Sequence, residues 1–177
     1  MAEIEIRNTI STDLGRLMTI DHAVETDYVW QLDLHRDSGQ VDASFREVRL
    51  PRTVRVVHPR TARELADTWH LRPMLSAMNG LEAIAYIRFT DLIMPHAVWI
   101  TDVLVAKDWR RRGIARKLIA AAESWGVQRE LRLAVIETQS KNYPAVRLIQ
   151  KLGYEFCGYN DQYYATRDVA LFFSRTI

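Results

Sequence analysis

The chain has 177 residues, enough for one domain with a substantial core, and carries no long apolar run that would cross a membrane. Lysine and arginine number 24 against 22 aspartates and glutamates, and a net charge of +2 is too small for a surface built to hold nucleic acid nonspecifically. A single cysteine excludes an intrachain disulfide, and with no secretory signal in view the expected setting is the cytoplasm.

In chain order, Ile4-Glu5-Ile6 alternates as a first strand. Ser11 or Thr12 should cap a helix running to about Ala23, with Asp13 near its start, where negative charge is favoured. Tyr28 to Ser44 gives no clear signal. Thr53 to Val57 alternates as a strand, and Thr61-Ala62-Arg63-Glu64-Leu65 opens a helix carrying Trp69. Met78-Asn79-Gly80 has turn chemistry and precedes a strand from Leu81 to Phe89. After Met94-Pro95-His96 the β-branched and aromatic run Ala97–Val105 is a strand, expected to pair antiparallel with the one before it. Residues 116–127 place Leu118, Ile119, Ala122 and Trp125 at helical spacing. A strand from Leu131 to Ile136 follows, then a helix from Pro144 to Lys151 with Gly153 at a left-handed cap. Tyr154–Tyr159 and Asp168–Phe173 read as two final strands. The strand–helix–strand unit from 98 to 136 should cross over right-handedly and therefore be parallel, within a mixed sheet carrying helices on its faces.

The stretch Arg110-Arg111-Arg112-Gly113-Ile114-Ala115 stands where the strand turns into the helix. Such a turn presents unpaired backbone N–H groups at the positive end of the helix dipole, which suits a phosphate or pyrophosphate. Gly113 lets the backbone approach the oxygens, and Ala115 keeps the first helical turn slim. A solvated helix start with incidental arginines is the plainer alternative. Nucleic-acid binding is a weak one, because no aromatic-interleaved basic face accompanies the cluster. The five histidines fall in no metal-ligand spacing, so no metal site is expected.

Two motifs together carry a resemblance. Arg110-x-x-Gly113-x-Ala115 and Asn142-x-x-Ala145-x-x-Leu148-x-x-x-Leu152-Gly153-Tyr154, in that order, resemble the signatures of the GNAT superfamily of acetyl-CoA-dependent N-acetyltransferases. Ile136-Glu137-Thr138-Gln139, Gly158 to Tyr164 and Val169 to Phe173 are similar to the streptothricin-acetyltransferase branch. The resemblance implies an α/β fold with a central mixed, mostly antiparallel sheet and helices on both faces. It also implies a single domain over 1–177, with residues 1–80 on the acceptor side, 81–156 as the acetyl-CoA core, and 157–177 as C-terminal strands. Acetyl-CoA would be the co-substrate, with no metal. Its pantetheine arm would pair with the backbone of Val103, Leu104 and Val105. Its pyrophosphate would rest on the amides of Arg111, Arg112, Gly113, Ile114, Ala115 and Arg116. Arg110 belongs to the same signature, Asn142 would bond the cofactor, and the guanidinium groups with Lys117 would meet the ribose phosphate. The acceptor would be a primary amine, on a small cationic molecule or a peptide, with dimers frequent in the family and neither membrane nor specific nucleic acid as partner.

The implied reaction is direct attack of an amine on the thioester. An amine with pKa about 10.4 is protonated at pH 7, a cost on the order of 4 to 5 kcal/mol, so a base must remove that proton, usually through water. Glu137 is the leading candidate, on the strand face of Leu133 and Val135; a strand-end ion pair or an ammonium anchor is its alternative role. Asp102 is second, a carboxylate inside an apolar strand that needs either a partner or a function. Asp161 suits a cation or a turn equally. The family's usual tyrosine acid falls on Ile149, which cannot protonate the CoA sulfur. Tyr163, Tyr164 or water are left to do so, and the substitution raises the alternative of a weakened acyl-CoA-binding module. Tyr28 and Trp30 are candidates to line the acceptor pocket. Cys157 and the tryptophans are expected mainly in packing roles, and the histidines at the surface or as satisfied core groups.

Overall fold

A computed structural model describes residues 4–177. Strand β1 (Ile4–Asn8) leads to a 3-10 turn and a short helix α1 (Leu14–Leu17). Strands β2 (Val24–Asp37) and β3 (Gln40–Val56) form a long hairpin of their own. Helix α2 (Ala62–Thr68) precedes β4 (Met74–Asn79), β5 (Glu82–Thr90) and β6 (Ala97–Val105). Helix α3 (Ile114–Val127), β7 (Leu133–Gln139), α4 (Tyr143–Lys151), β8 (Glu155–Asn160) and β9 (Ala170–Thr176) complete the chain.

Among the described residues seven strands make one sheet in the order β1-β4-β5-β6-β7-β9-β8, and only the β6–β7 pair is parallel. That is the mixed, mostly antiparallel sheet expected, with the crossover through α3. One face is covered by α3, where Val98 and Ile100 pack with Leu118, Ile119 and Ala122. Gly126 brings this helix close, since a Cβ there would stand 3.0 Å from the Val98 side chain. The opposite face carries α1 and α2, with Leu17 and Leu65 against Tyr86 and Leu104. Fully burying a side chain of this size stabilises the fold by roughly 1.5–3 kcal/mol.

The structure corrects two expectations, for the first helix and for Cys157, and supplies two strand segments that the sequence left open. The first helix stops at Leu17 instead of reaching Ala23. The Thr19 hydroxyl donates back to the Arg16 carbonyl at 2.7 Å, and the Asp21 side chain accepts from the Ala23 amide, so the backbone turns out of the helix. The uncalled segment 28–44 is hairpin: Trp30, Leu32 and Leu34 alternate along it, and Ser38-Gly39 is its two-residue turn. Strand β4 was not foreseen, because Met74 to Met78 is buried on both faces and shows no alternation. Cys157 is exposed, not packed. It sits on edge strand β8, at a bulge between Phe156 and Gly158.

Candidate active site

The site begins where two strands part. β6 and β7 pair only from Ala97–Ile100 to Leu133–Ile136. Beyond that point β6 stays with β5 and β7 stays with β9, so the facing edge of β6 from Thr101 to Val105 has no strand partner among the described residues. A cavity of about 90 Å³ passes through the gap. Its α3–α4 side is walled by Val103, Ala115, Ile119, Ala145, Leu148 and Ile149, and its other side by His58, Asp102, Glu137 and Tyr164.

On the helical side, the backbone amides of Arg111 to Arg116 make no hydrogen bond among the described residues. The first helical bond is Lys117 N–H to the Gly113 carbonyl, at 3.1 Å. Arg111 and Gly113 both adopt left-handed backbone, φ 65° and 78°, which fans the amides toward one concavity. A Cβ on Gly113 would meet nothing within 4 Å, so the space over the turn is open. Arg111, Arg112, Arg116 and Lys117 are exposed, and Arg112 lies over the Trp109 ring at 4.7 Å. Arg110 behaves differently. Its guanidinium donates to the carbonyls of Val105, Asp21 and Ala23, tying β6 to the loop before β2. The Asn142 side chain caps α4 by accepting from the Ala145 amide at 3.3 Å, and the residue lines the passage.

The opposite mouth holds a compact charged cluster. A bulge leaves Thr101 out of the β5–β6 register, so Asp102 shares a face with Trp99 and Glu137. Arg60, from the segment before α2, reaches between the parted strands. It donates to the Thr101 carbonyl at 3.0 Å, to Asp102 Oδ1 at 3.2 Å, and to Glu137 Oε1. Glu137 Oε2 also accepts from Trp99 Nε1 at 2.6 Å and Tyr163 Oη at 2.7 Å. Asp102 Oδ2 accepts from Thr101 Oγ1 at 2.7 Å, and His58 Nε2 lies 3.3 Å from Oδ1. Burial pushes the Asp102 carboxyl up, but Arg60, His58 and the Thr101 hydroxyl outweigh it and hold the group below the ordinary range. Burial likewise opposes the Arg60 charge, and the two carboxylates more than restore it.

The structure thus gathers Glu137, Asp102 and Val103 at one opening, with the amide turn and Asn142 on its helical side. Sequence reading missed His58 and Arg60 as members of this cluster. The capping box of Thr61 and Glu64, which sets the start of α2 and so the segment's path, was the available signal. Nothing local marks the residues two and four positions earlier as reaching strands 40 and more residues away.

Burial also keeps His22 and His58 below the ordinary imidazole value. The unfolded chain takes up protons near pH 6.5 while the folded rings resist them, so stability is complete above that pH and falls as it is lowered. Denaturant midpoints measured from about pH 7.5 down to 5.5 should decline steadily; a flat series would show both rings open to solvent.

The acetyltransferase (GNAT) family profile matches residues 43–154, more than half the chain. This chain belongs to the GNAT acetyltransferase family. It is an acetyl-CoA-dependent N-acetyltransferase, delivering an acetyl group to an amine. The acetyltransferase is 26% identical over 108 residues to "Aminoglycoside N(6')-acetyltransferase type 1" of Salmonella typhimurium, covering 55% of this chain and 72% of that protein. It is 35% identical over 68 residues to "Streptothricin acetyltransferase" of Escherichia coli, covering 38% of this chain and 39% of that one. Among solved structures, nourseothricin acetyltransferase matches with a TM-score of 0.81 at 18% identity, over 99% of both chains. A Bacillus anthracis structure described as a streptothricin acetyltransferase in complex with acetyl coenzyme A matches at 0.76 and 19% identity, over 99% of this acetyltransferase and 100% of that chain. The two structures share its fold. Its own residues fit the co-substrate: six free amides for a diphosphate, an apolar slot for a thin aliphatic arm, and an unpartnered strand edge for the arm's amides.

Proposed function

We propose that the acceptor is a primary amine on a small polycationic molecule, of the aminoglycoside or streptothricin kind for which the relatives are named, and that the reaction takes place in the cytoplasm. One observation carries this reading: a cavity bordered by Ala115 and Asn142 on the helical face of the sheet is also lined by the Asp102–Glu137 pair on the other. The co-substrate is held on the helical side by the amides of Arg111 to Arg116, by Asn142, and by the β6 edge at Val103, Leu104 and Val105. The exposed side chains of Arg111, Arg112, Arg116 and Lys117 are free to meet further phosphate oxygens, whereas Arg110 contributes by shaping the turn.

The acceptor enters from the mouth lined by His58, Glu137 and Tyr164. Glu137, fixed by three donors, draws and orients the ammonium, while Asp102 anchors the groups around it. Tyr163 has its hydroxyl committed to Glu137. Tyr164 lines the passage and its hydroxyl has no partner among the described residues, so it is the phenol placed to protonate the departing sulfur where Ile149 cannot. Burial pushes that phenol up, which keeps its proton in place at neutral pH.

A panel of aminoglycosides, streptothricin and simple amines, assayed for free thiol release with acetyl-CoA, tests the reading. The polycationic compounds should turn over and peptide N-termini should not. Glu137→Gln should lower kcat/KM on the order of 10²-fold while acetyl-CoA raises the melting temperature as in the parent. Turnover equal to the parent would remove Glu137 from catalysis.

A further inference from the structure

We propose that Tyr163 is a positioning residue for acetyl transfer: its hydroxyl, bonded to Glu137, sets the loop that carries Tyr164 and so places the Tyr164 phenol in the passage. The proposal rests on the acetyl-transfer reading above, and it separates two neighbouring tyrosines that the sequence leaves equivalent.

Residues 161–169 join β8 to β9 without helix or strand. Both ends of this loop are tied down. The Asn160 side chain accepts from the Gln162 amide at 2.8 Å. Asp168 accepts from Gln139 Nε2 at 2.8 Å, from Thr166 Oγ1 at 3.1 Å and from Lys141. Between these ties the Arg167 amide donates to the Tyr164 carbonyl at 2.9 Å, closing a turn in which Arg167 takes left-handed backbone, φ 59°. Among the described residues, the hydrogen bond that links positions 163–165 to the sheet is Tyr163 Oη to Glu137 Oε2, at 2.7 Å.

That bond ends on a fixed point. Arg60 holds Glu137 Oε1, and Trp99 Nε1 donates to Oε2 at 2.6 Å, so the carboxylate keeps its place whatever the loop does. Burial, and after it the Glu137 charge and hydrogen bond, push the Tyr163 phenol up, so its proton stays available for donation at neutral pH. The Tyr163 ring packs edge-on to Phe172 of β9 at 5.4 Å and to Tyr164 at 5.1 Å. The Tyr164 ring is buried, with the Arg60 guanidinium 5.9 Å from its centroid. Its hydroxyl has no hydrogen-bond partner among the described residues, so its ring's neighbours alone aim it. Of these neighbours, Tyr163 is the one that also fixes the Tyr164 backbone.

The chemistry this serves balances atom by atom. The acceptor ammonium first gives one proton to water. The electron pair of the neutral nitrogen forms the bond to the acetyl carbonyl carbon, and the carbon–sulfur bond breaks with its pair going to sulfur. The sulfur takes the Tyr164 proton. The nitrogen sheds its second proton, which passes through water to restore the phenol, and the products are a neutral amide and the thiol. Protonating the sulfur needs a phenol at a set place. A displacement on the order of 1 Å in such a step costs up to about 10²-fold in rate.

Tyr163→Phe keeps both ring contacts and leaves Glu137 paired with Arg60 and Trp99, so the protein should fold and bind acetyl-CoA as the parent does. With streptothricin or an aminoglycoside that the parent acetylates, kcat should fall about 10-fold and the acceptor KM should not change. Tyr164→Phe should be slower still, by about 10²-fold. The double variant should be no slower than Tyr164→Phe, because a residue that only aims a phenol has nothing to aim once the hydroxyl is gone. Tyr163→Leu, which loses the ring contacts as well, is a second variant under the same rule. Parent-like kcat in Tyr163→Phe, or a double variant slower than Tyr164→Phe by the same factor, would overturn the proposal. Unfolding of both Tyr163 variants would overturn it too, since the side chain would then hold the fold and not the phenol. Tyr164→Phe as fast as the parent, or a parent that acetylates no amine, would instead remove the reading beneath.

Discussion

Gly113→Val will reduce acetyl-CoA affinity on the order of 10²- to 10⁴-fold while leaving the protein folded. The residue holds φ at 78° and its position opens on free space, so a side chain clashes with nothing in the protein itself. The folding cost is the left-handed backbone alone, roughly 1–2 kcal/mol for a residue with a Cβ and somewhat more for a β-branched one. Binding suffers far more. The left-handed backbone at Gly113 is what fans the amides of Arg111 to Arg116, and a β-branched residue in the open space over the turn would shift that backbone and compete with a diphosphate for the space. A hydrogen bond to a charged group contributes about 1.5–3 kcal/mol, and displacing the diphosphate loses at least two. Calorimetric titration with acetyl-CoA, alongside far-UV circular dichroism, separates the two effects. Binding equal to the parent would show that the turn does not hold the diphosphate. Gly113→Ala, with a smaller side chain in the same strained backbone, should fall between.

Arg60→Leu is expected to be the most damaging single change to stability, by about 3–5 kcal/mol, the usual consequence of removing one partner from a buried ion pair. Arg60 is the cation between two carboxylates that are both about 95% buried or more. Leucine fills much of the same volume but supplies no donor, so the Thr101 carbonyl and the Arg60-facing oxygens of Asp102 and Glu137 are left short. Glu137 keeps Trp99 and Tyr163, and Asp102 keeps Thr101 and His58, which is why the loss stays within a few kcal/mol. For a chain of this length the midpoint should drop by roughly 6–20 °C at about 2–4 °C per kcal/mol. The sign with pH is definite. Asp102 binds a proton more readily once the guanidinium is gone, so the gap between variant and parent should narrow as pH falls. Adding Glu137→Gln to Arg60→Leu should recover part of the loss, since one uncompensated charge is removed. A single variant as stable as the parent would show the cluster to be well solvated.

Much of the cofactor side was legible because its chemistry is local. Arg110 to Ala115 lie in one turn, and the strand and helix that flank it announce themselves by composition and spacing. The same is true of α4, with Asn142 at its start and Gly153 in left-handed backbone just past its end. Even there, a motif position could not reveal which way its side chain faces. Arg110 reads as a phosphate ligand in sequence, yet three backbone carbonyls claim its guanidinium. The segment before β4 was largely illegible. The hairpin from Val24 to Val56 is exposed along most of its length and carries charges among its alternating apolar residues, so its pattern is easily passed over. Buried β4 shows the opposite difficulty, an apolar run too short to tell from part of a helix.

Sequence alone determined the order of elements from Leu81 onward, the parallel crossover through α3 and the glycine turn with its open amides, because each depends on residues within a few positions of one another. Only the folded chain decided where Asp102 and Glu137 stand and what they bond. A one-residue bulge at Thr101 turns Asp102 onto the face of Glu137, and Arg60 and His58 arrive from about 40 residues earlier to meet them. Pairing of buried charges is a property of distance in space, and a strand's register is set by its neighbours; neither is written in the spacing of the residues that result.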